Sequence, residues 1–262
     1  MLKSNNLYLG DCLDLLAKIE DQTIDLVFLD PPYNLQLNKV LTRPNHSIVN
    51  GVNQDWDKFD SYSSYDDFTF SYLTECKRVL KPDGGLWIIG SYHNIFRIGK
   101  ILQDLNFWIL NDVIWAKSNP LPNFRATRLT NAHETLIWCS KKPKSKYQFN
   151  YHTLKVANED RQERSIWNFP ICSGKERLKN NKKQTAHPTQ KPLALMKKII
   201  IQSSIQGDLV LEPFAGTASF CAEAKYLGRN YIGFEKDEGY FNLAIKRLKK
   251  IKTLKKELLE IN

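Results

Sequence analysis

Short apolar runs alternate with longer amphipathic stretches along the chain, and the alternation predicts a series of strands and helices. Leu7-Tyr8-Leu9 reads as a strand that runs into Gly10-Asp11-Cys12. A helix with Leu13, Leu15, Leu16 and Ile19 inward should follow. Ile24-Asp25-Leu26-Val27-Phe28-Leu29 is apolar except for Asp25, the mark of a strand buried on both faces. Tyr65, Phe68, Tyr72, Cys76, Val79 and Leu80 recur at helical spacing, and Lys81-Pro82-Asp83-Gly84-Gly85 should close that helix before a strand over 86–90. A helix over 94–105 and strands over 107–117 and 133–140 come next, the two strands separated by a connection at 118–131. Pro192 suits the first turn of a helix through Leu195, Ile199 and Ile200. The pattern then gives a strand at 208–211, a helix at 220–227 and a strand at 231–234 that ends on Glu235. The tail, 240–261, reads as a basic amphipathic helix with Leu248, Ile251, Leu254, Leu258 and Ile261 on one side. Alternating strands and helices predict an α/β fold in which a mostly parallel sheet of seven strands carries helices on both faces.

Two segments break the pattern. Residues 35–60 form a long polar stretch with Arg43, Pro44, Asn45, His46 and Gly51. A loop of this length suits a lid over a ligand or a plain surface insertion, and the sequence leaves both open. Residues 141–192 hold 13 Lys or Arg against 4 Asp or Glu, interleaved with Tyr147, Phe149, Tyr151, Trp167 and Phe169, and without clean periodicity. Irregular structure is expected there.

Charge sharpens the picture. The 262 residues carry a net charge of +10, nearly all of it from that one segment. A polyanionic partner is implied, nucleic acid before a membrane surface. Lys141 and Lys142 open the segment, and the 118–131 connection adds Phe124, Arg125 and Arg128, an aromatic among cations able to stack on bases and hold phosphates. Five scattered cysteines without a C-x-x-C pair argue against a zinc knuckle and a disulfide framework, so no metal is expected. The first residues lack an apolar signal core, and no apolar run approaches the ~20 residues of a membrane span.

The candidate chemistry sits at strand ends. Asp30-Pro31-Pro32-Tyr33 follows the most apolar strand, at the end where open α/β sheets bind ligands. Asp30 offers a carboxylate, Pro31 keeps a carbonyl with no N–H, and Tyr33 offers a flat face. Two acceptors beside a ring suit a planar ligand with an exocyclic amino group, such as adenine. Asp11 can cap the first helix or face a ligand. In the last third, Glu212-Pro213-Phe214-Ala215-Gly216-Thr217-Ala218-Ser219 links a strand to a helix, and Glu235 ends the next strand 19 residues beyond Gly216. Gly216 permits close backbone approach, the helix start favours negative charge, and Glu235 is placed for a ribose diol. Neither G-x-G-x-x-G nor a P-loop is present, so a nucleoside with a short charged tail fits better than a pyrophosphate.

The order of these motifs, with His187-Pro188-Thr189-Gln190-Lys191-Pro192 between them, resembles the β group of DNA amino methyltransferases, whose catalytic half precedes the cofactor half. The stretches at 30–37, 56–59, 90–96 and 117–138 resemble more closely the cell-cycle-regulated adenine methyltransferases and their restriction-system relatives, which modify GANTC. The resemblance implies a Rossmann-like, circularly permuted methyltransferase domain over 1–262, with a catalytic half at 1–140, a target-recognition segment at 141–186 and an S-adenosyl-L-methionine half at 187–262. It implies methyl transfer to adenine N6 in double-stranded DNA by base flipping, with Asp30, Pro31, Pro32 and Tyr33 catalytic. Asp11 and Cys12 would meet the cofactor adenine, Glu235 its ribose, and His187, Thr189 and Lys191 its methionine part, Lys191 pairing with the carboxylate; Asp30 and the turn residues Glu212, Pro213, Phe214, Gly216, Thr217 and Ala218 would also face the cofactor. Arg43, the 118–131 cations and Lys141 with Lys142 would hold DNA. A homodimer, a cognate restriction endonuclease and a bacterial cytoplasm around the nucleoid are also implied. The chain departs from the family's Asp-Pro-Phe-x-Gly-x-Gly-Thr turn at Glu212, Ala218 and Ser219, and it stops at Asn262 without the C-terminal domain of those relatives. The rival readings are cytosine-N4 methylation, methylation of RNA or a protein glutamine, and an inactive DNA-binding partner subunit. Cytosine C5 chemistry lacks its Pro-Cys pair.

Overall fold

The computed structural model describes residues 2–35, 41–42, 48–49, 57–123, 126–179 and 184–254. The elements run β1 (Asn6–Leu9), α1 (Cys12–Leu16), β2 (Ile24–Leu29), β3 (Leu41–Thr42), β4 (Ile48–Val49), α2 (Tyr62–Val79), β5 (Leu80–Gly90), α3 (Ile95–Asp104) and β6 (Trp108–Lys117). They continue with β7 (His133–Ser140), α4 (Tyr151–Ala157), β8 (Ile166–Phe169), α5 (Leu193–Ser203), β9 (Leu209–Glu212), α6 (Ser219–Tyr226), β10 (Asn230–Glu235) and α7 (Glu238–Lys250).

One sheet takes eight of the ten strands, in the order β1-β10-β9-β2-β5-β7-β6-β8, and β3 pairs only with β4. β7 is antiparallel to both of its neighbours, and the other pairings in the large sheet are parallel. The chain starts on the edge strand β1 and crosses to β2. It returns last to insert β9 and β10 between them. The first and last thirds of the sequence therefore build one half of the sheet together, as a permuted fold requires.

Alternation along the strands splits the core. Leu26 and Phe28 of β2 face a layer formed with Leu195, Ile199, Phe220 and Leu248 of α5, α6 and α7. Val27 and Leu29 face the opposite layer, with Leu16, Tyr72, Leu73 and Ile98 of α1, α2 and α3. Each strand face is apolar because both are covered.

Several boundaries differ from the expectation. The sheet has an eighth strand because part of the basic segment is ordered as α4 and β8. Ile166-Trp167-Asn168-Phe169 alternates outward and inward, and Trp167 is buried while Ile166 is exposed. Of the aromatics assigned to a nucleic-acid surface, Trp167 packs in the core beside Trp87, and Tyr147 and Phe169 lie against it. β5 starts six residues earlier than expected. Residues between the pairs Ile24–Leu80 and Leu26–Gly85 bulge out of register, and a Cβ at Gly84 would meet Leu80 Cδ2 at 2.8 Å. The tail helix ends at Lys250, where Ile251 turns extended, and Leu254 N–H donates to the Tyr226 carbonyl. Leu258 and Ile261 lie outside the described residues. Among the described residues, no helix is long and apolar enough to cross a membrane.

Candidate active site

The carboxyl ends of β1, β10, β9, β2 and β5 share one edge of the sheet. A cavity of about 680 Å³ opens there, within the range of small-molecule sites. Gly10, Asp11, Cys12, Glu212, Phe214, Gly216, Thr217 and Glu235 line one part of it, and Asp30, Pro31, Tyr33, Thr189 and Lys191 the other. The two halves of the motif set, distant in sequence, thus face one space.

The Gly216 side is built by short turns. Asp11 caps α1 through Leu13 N–H at 3.0 Å and pairs with Lys236 at 3.0 Å, so it caps the helix while lining the cavity. Cys12 is buried in the wall, and burial pushes its thiol up to about 12, so it acts as a small apolar contact. Gly216 has φ +52°, and a Cβ there would meet His187 Nε2 at 3.1 Å. The turn lies directly on the His187 ring, which packs edge-on against Tyr240 at 4.4 Å. Burial first, then Lys191, drops His187 to about 4, so the ring is neutral at pH 7. Glu235 accepts Gly216 N–H at 2.6 Å and Asp237 N–H at 2.7 Å, and burial raises its carboxyl to about 7. An open cavity, a glycine turn that admits close backbone approach and a carboxylate at the next strand end fit a nucleoside.

Glu212 is buried and accepts the N–H groups of Phe220 at 3.3 Å and Cys221 at 2.9 Å, so it caps α6 while lining the cavity. One expectation for this turn is corrected. Ala218 does not line the cavity. It is fully buried, and it holds a left-handed conformation, φ 54° and ψ 49°, where the family's glycine would be unstrained. Thr217 does line the cavity, and its carbonyl accepts from Arg247 at 3.0 Å.

The Asp30 side is a buried charge cluster. Lys191 Nζ lies 2.8 Å from both Asp30 oxygens. The sequence reading aimed this ammonium at the cofactor carboxylate, and here it straddles Asp30. Tyr33 donates its hydroxyl to Glu134 Oε2 at 2.9 Å and lies 3.2 Å from Asp30 Oδ1, so two carboxylates fix its ring. Lys117 Nζ holds Glu134 Oε1 at 2.8 Å, and Lys191 stands 3.8 Å from Glu134 Oε2. Burial raises the Asp30 carboxyl, against the pull of Lys191. Burial also raises that of Glu134, but Lys191 and Lys117 outweigh it and keep Glu134 ionised. Burial would deprotonate Lys191, and Asp30 with Glu134 keeps it charged.

The motif's backbone is held as firmly. Asp57 accepts N–H groups from Tyr33 at 2.6 Å, Asn34 at 2.8 Å and Leu35 at 3.0 Å. Tyr65 donates to the Pro32 carbonyl at 2.9 Å. The Pro31 carbonyl has no hydrogen-bond partner among the described residues and lines the cavity. Glu134, Lys117, Asp57 and Tyr65 carried no site role in the sequence. Asp57, Lys117 and Glu134 lie within stretches that carried the family resemblance, which was the one signal available.

The DNA-contact assignments divide. Arg43, Phe124 and Arg125 lie outside the described residues. Arg128 donates to Tyr92 Oη at 2.7 Å, and Tyr92 packs on His93 at 4.0 Å, just past the end of β5 on the active edge. Lys141 and Lys142 follow β7, whose last residue pairs with Gly85 at the start of the main run of β5. Because β7 is reversed, both lysines stand at the opposite edge of the sheet from Asp30, and Lys141 bonds the Leu80 carbonyl. Among the described residues no group of His, Cys, Asp and Glu could hold a metal ion.

A model of the family described as DNA methylase matches residues 24–246. The chain is 52% identical over 248 residues to type II methyltransferase M.HinfI of Haemophilus influenzae, covering 95% of this chain and 69% of that protein. It is 40% identical over 250 residues to type II methyltransferase M2.MboI of Moraxella bovis, covering 95% and 89%. Among solved structures, the M1.HpyAVI–SAM complex matches with a TM-score of 0.66 at 28% identity, over 93% of this chain and 98% of that one. The cytosine-N4-specific PvuII DNA methyltransferase matches with a TM-score of 0.72 at 19% identity, over 100% and 92%, a likeness of fold. With the two motif halves facing one cavity on a permuted sheet and family matches along most of its length, the chain belongs to the DNA methylase family and is an S-adenosyl-L-methionine-dependent DNA methyltransferase.

Proposed function

We propose that the protein methylates the N6 amino group of adenine in double-stranded DNA, within GANTC, on a base turned out of the helix. The observation that carries this reading is the pair of acceptors at the cavity wall, the Asp30 carboxylate and the unpartnered Pro31 carbonyl, beside the fixed ring of Tyr33. An adenine amino group has two hydrogens to give, one to each acceptor. Accepting both turns the nitrogen lone pair out of the ring's conjugation and leaves it free to attack. Asp30 also faces the positive charge that grows on that nitrogen. Tyr33, its hydroxyl tied at both sides, offers a ring face to the flipped base without losing further freedom. When bound, S-adenosyl-L-methionine supplies an electrophilic methyl group on a sulfonium. Glu235, Asp11 and Cys12 would hold its nucleoside, and Thr189 with the Gly216 turn its tail. The residues therefore act chiefly by placement and by charge.

DNA is read as lying across the active edge of the sheet, with Arg128, Tyr92 and His93 beside it. A homodimer, a partner restriction endonuclease of the same target and a place on DNA in the bacterial cytoplasm complete the proposal. The family resemblance and the type II designation of both relatives support them.

The test is transfer of labelled methyl groups to paired duplexes with and without GANTC, followed by nucleoside analysis. N6-methyladenine confined to the GANTC duplex is the expected result. N4-methylcytosine would overturn the base assignment, and methyladenine in both duplexes would overturn the target sequence.

A further inference from the structure

The contact that the proposed chemistry must disturb is the one between Lys191 and Asp30. The ammonium lies across both oxygens of the carboxylate at 2.8 Å. In that position it cancels the negative charge that should face the reacting nitrogen, and it crowds the edge where the amino group must dock. Only 6% of the Lys191 side chain is exposed, so leaving Asp30 without a new partner would strand a largely buried charge. A buried ammonium leaves one carboxylate only for another. Glu134 is that other. Its Oε2 stands 3.8 Å from Lys191 Nζ, about 1 Å beyond a close ion pair. Its Oε1 is held by Lys117 at 2.8 Å, so the carboxylate cannot swing away. Neither Glu134 nor Lys117 lines the cavity, so both act from behind its wall.

We propose that Glu134 is a positioning residue for methyl transfer: anchored by Lys117, it draws Lys191 off Asp30 as the base docks and so returns the Asp30 carboxylate to the amino group. The assignment rests on the reading of Asp30 as the amino acceptor. Lys191 shifts between two fixed carboxylates, and the cluster's charge stays balanced throughout. Tyr33 joins the two ends, since its hydroxyl touches both carboxylates and keeps them at a set separation.

The experiment is single-turnover methyl transfer to a GANTC duplex, with cofactor affinity by calorimetry, for Glu134→Gln, Lys191→Met, the double variant and Asp30→Ala. Glutamine keeps the shape and the acceptor for Tyr33 but loses the charge that competes for Lys191. The expected rate loss in Glu134→Gln is at least tenfold, with cofactor affinity within about twofold of wild type. The groups facing Lys191 are Asp30, Glu134 and the Tyr33 ring, with the His187 imidazole near enough to feel its charge. Without Glu134 the ammonium loses one of the two anions that keep it protonated. Asp30 alone then holds it, through two contacts of 2.8 Å. Because Glu134 acts through Lys191, the double variant should be no slower than Lys191→Met alone. A Glu134→Gln enzyme with an unchanged rate, or with losses that multiply with those of Lys191→Met, would overturn the assignment. Asp30→Ala separates the two levels: full turnover in it removes the underlying reading, whereas inactive Asp30→Ala beside a wild-type Glu134→Gln removes only the role of Glu134.

Discussion

Asp57 is the residue whose removal should be felt furthest from its own position. Its carboxylate takes three consecutive backbone N–H groups, those of Tyr33, Asn34 and Leu35, at 2.6, 2.8 and 3.0 Å. Only 3% of Asp57 is exposed, so water cannot replace those bonds. Asparagine fills the same volume, but one oxygen becomes an NH₂ that faces the Leu35 N–H as donor against donor. One buried donor is then orphaned, at about 1.5–3 kcal/mol, and the two remaining bonds lose their charge assistance, about 1 kcal/mol more in total. A loss of about 3 kcal/mol lowers the melting temperature of a domain this size by about 6–12 °C. The same bonds place the Tyr33 ring and the Asp30–Pro31 acceptors, and a misplacement near 1 Å costs roughly 100-fold in rate. Calorimetric melting together with single-turnover transfer at 20 °C would measure both effects. Asp60→Asn, at an exposed residue three positions on, serves as the control. A melting point within 1 °C of wild type would refute the energetic account. A lowered melting point with an unchanged rate at 20 °C would show that the nest stabilises the fold without setting the site.

Three further outcomes follow from the geometry. Glu235 is held near 7 by burial, and a ribose hydroxyl needs its ionised form, so cofactor affinity should rise as pH climbs from 6 towards 7 and level off above. The slope, at most tenfold per unit, should vanish in Glu235→Gln when titrated by calorimetry. Arg128→Ala should lower the slope of log affinity for DNA against log salt by about 1, while Lys141→Ala and Lys142→Ala, on the far edge, should leave it unchanged in fluorescence anisotropy. Trp167→Ala should melt at least 6 °C lower, because the ring fills the layer beside Trp87 at 5.6 Å and its loss costs about 3–5 kcal/mol.

Where the sequence spoke clearly, one physical signal dominated. The 24–29 run is apolar on both faces, and its strand, its central place and the ligand edge at Asp30 all follow. The helix at 94–105 and the strands at 107–117 and 133–140 emerged within a residue of their bounds. The basic segment was harder, since its charge density obscured a four-residue alternation around Trp167 that forms the eighth strand. Aromatics among lysines suit a nucleic-acid face and a core edge equally well, and only packing against Trp87 decides between them. Gly216, Glu235 and Glu212 do line the cavity, whereas Ala218, named with them, fills a buried left-handed corner beside it.

The charged cluster shows most sharply why part of the site was hidden. A strand's direction is not written in its alternation. Glu134 is the second residue of β7, and in a strand parallel to β5 it would lie at the far edge, some six residues from Asp30. Because β7 runs the other way, its first residues, the last residue of β6 and the end of β2 meet at one corner, where Glu134, Lys117 and Asp30 come together. A polar residue opening an apolar strand ordinarily marks the solvent edge, and here that edge carries the buried cluster of Asp30, Lys191 and Glu134. Reversal of a single strand thus does two things at once. It carries the basic 141–142 pair away from the active edge, and it supplies the second carboxylate that a buried lysine needs before it can release the first.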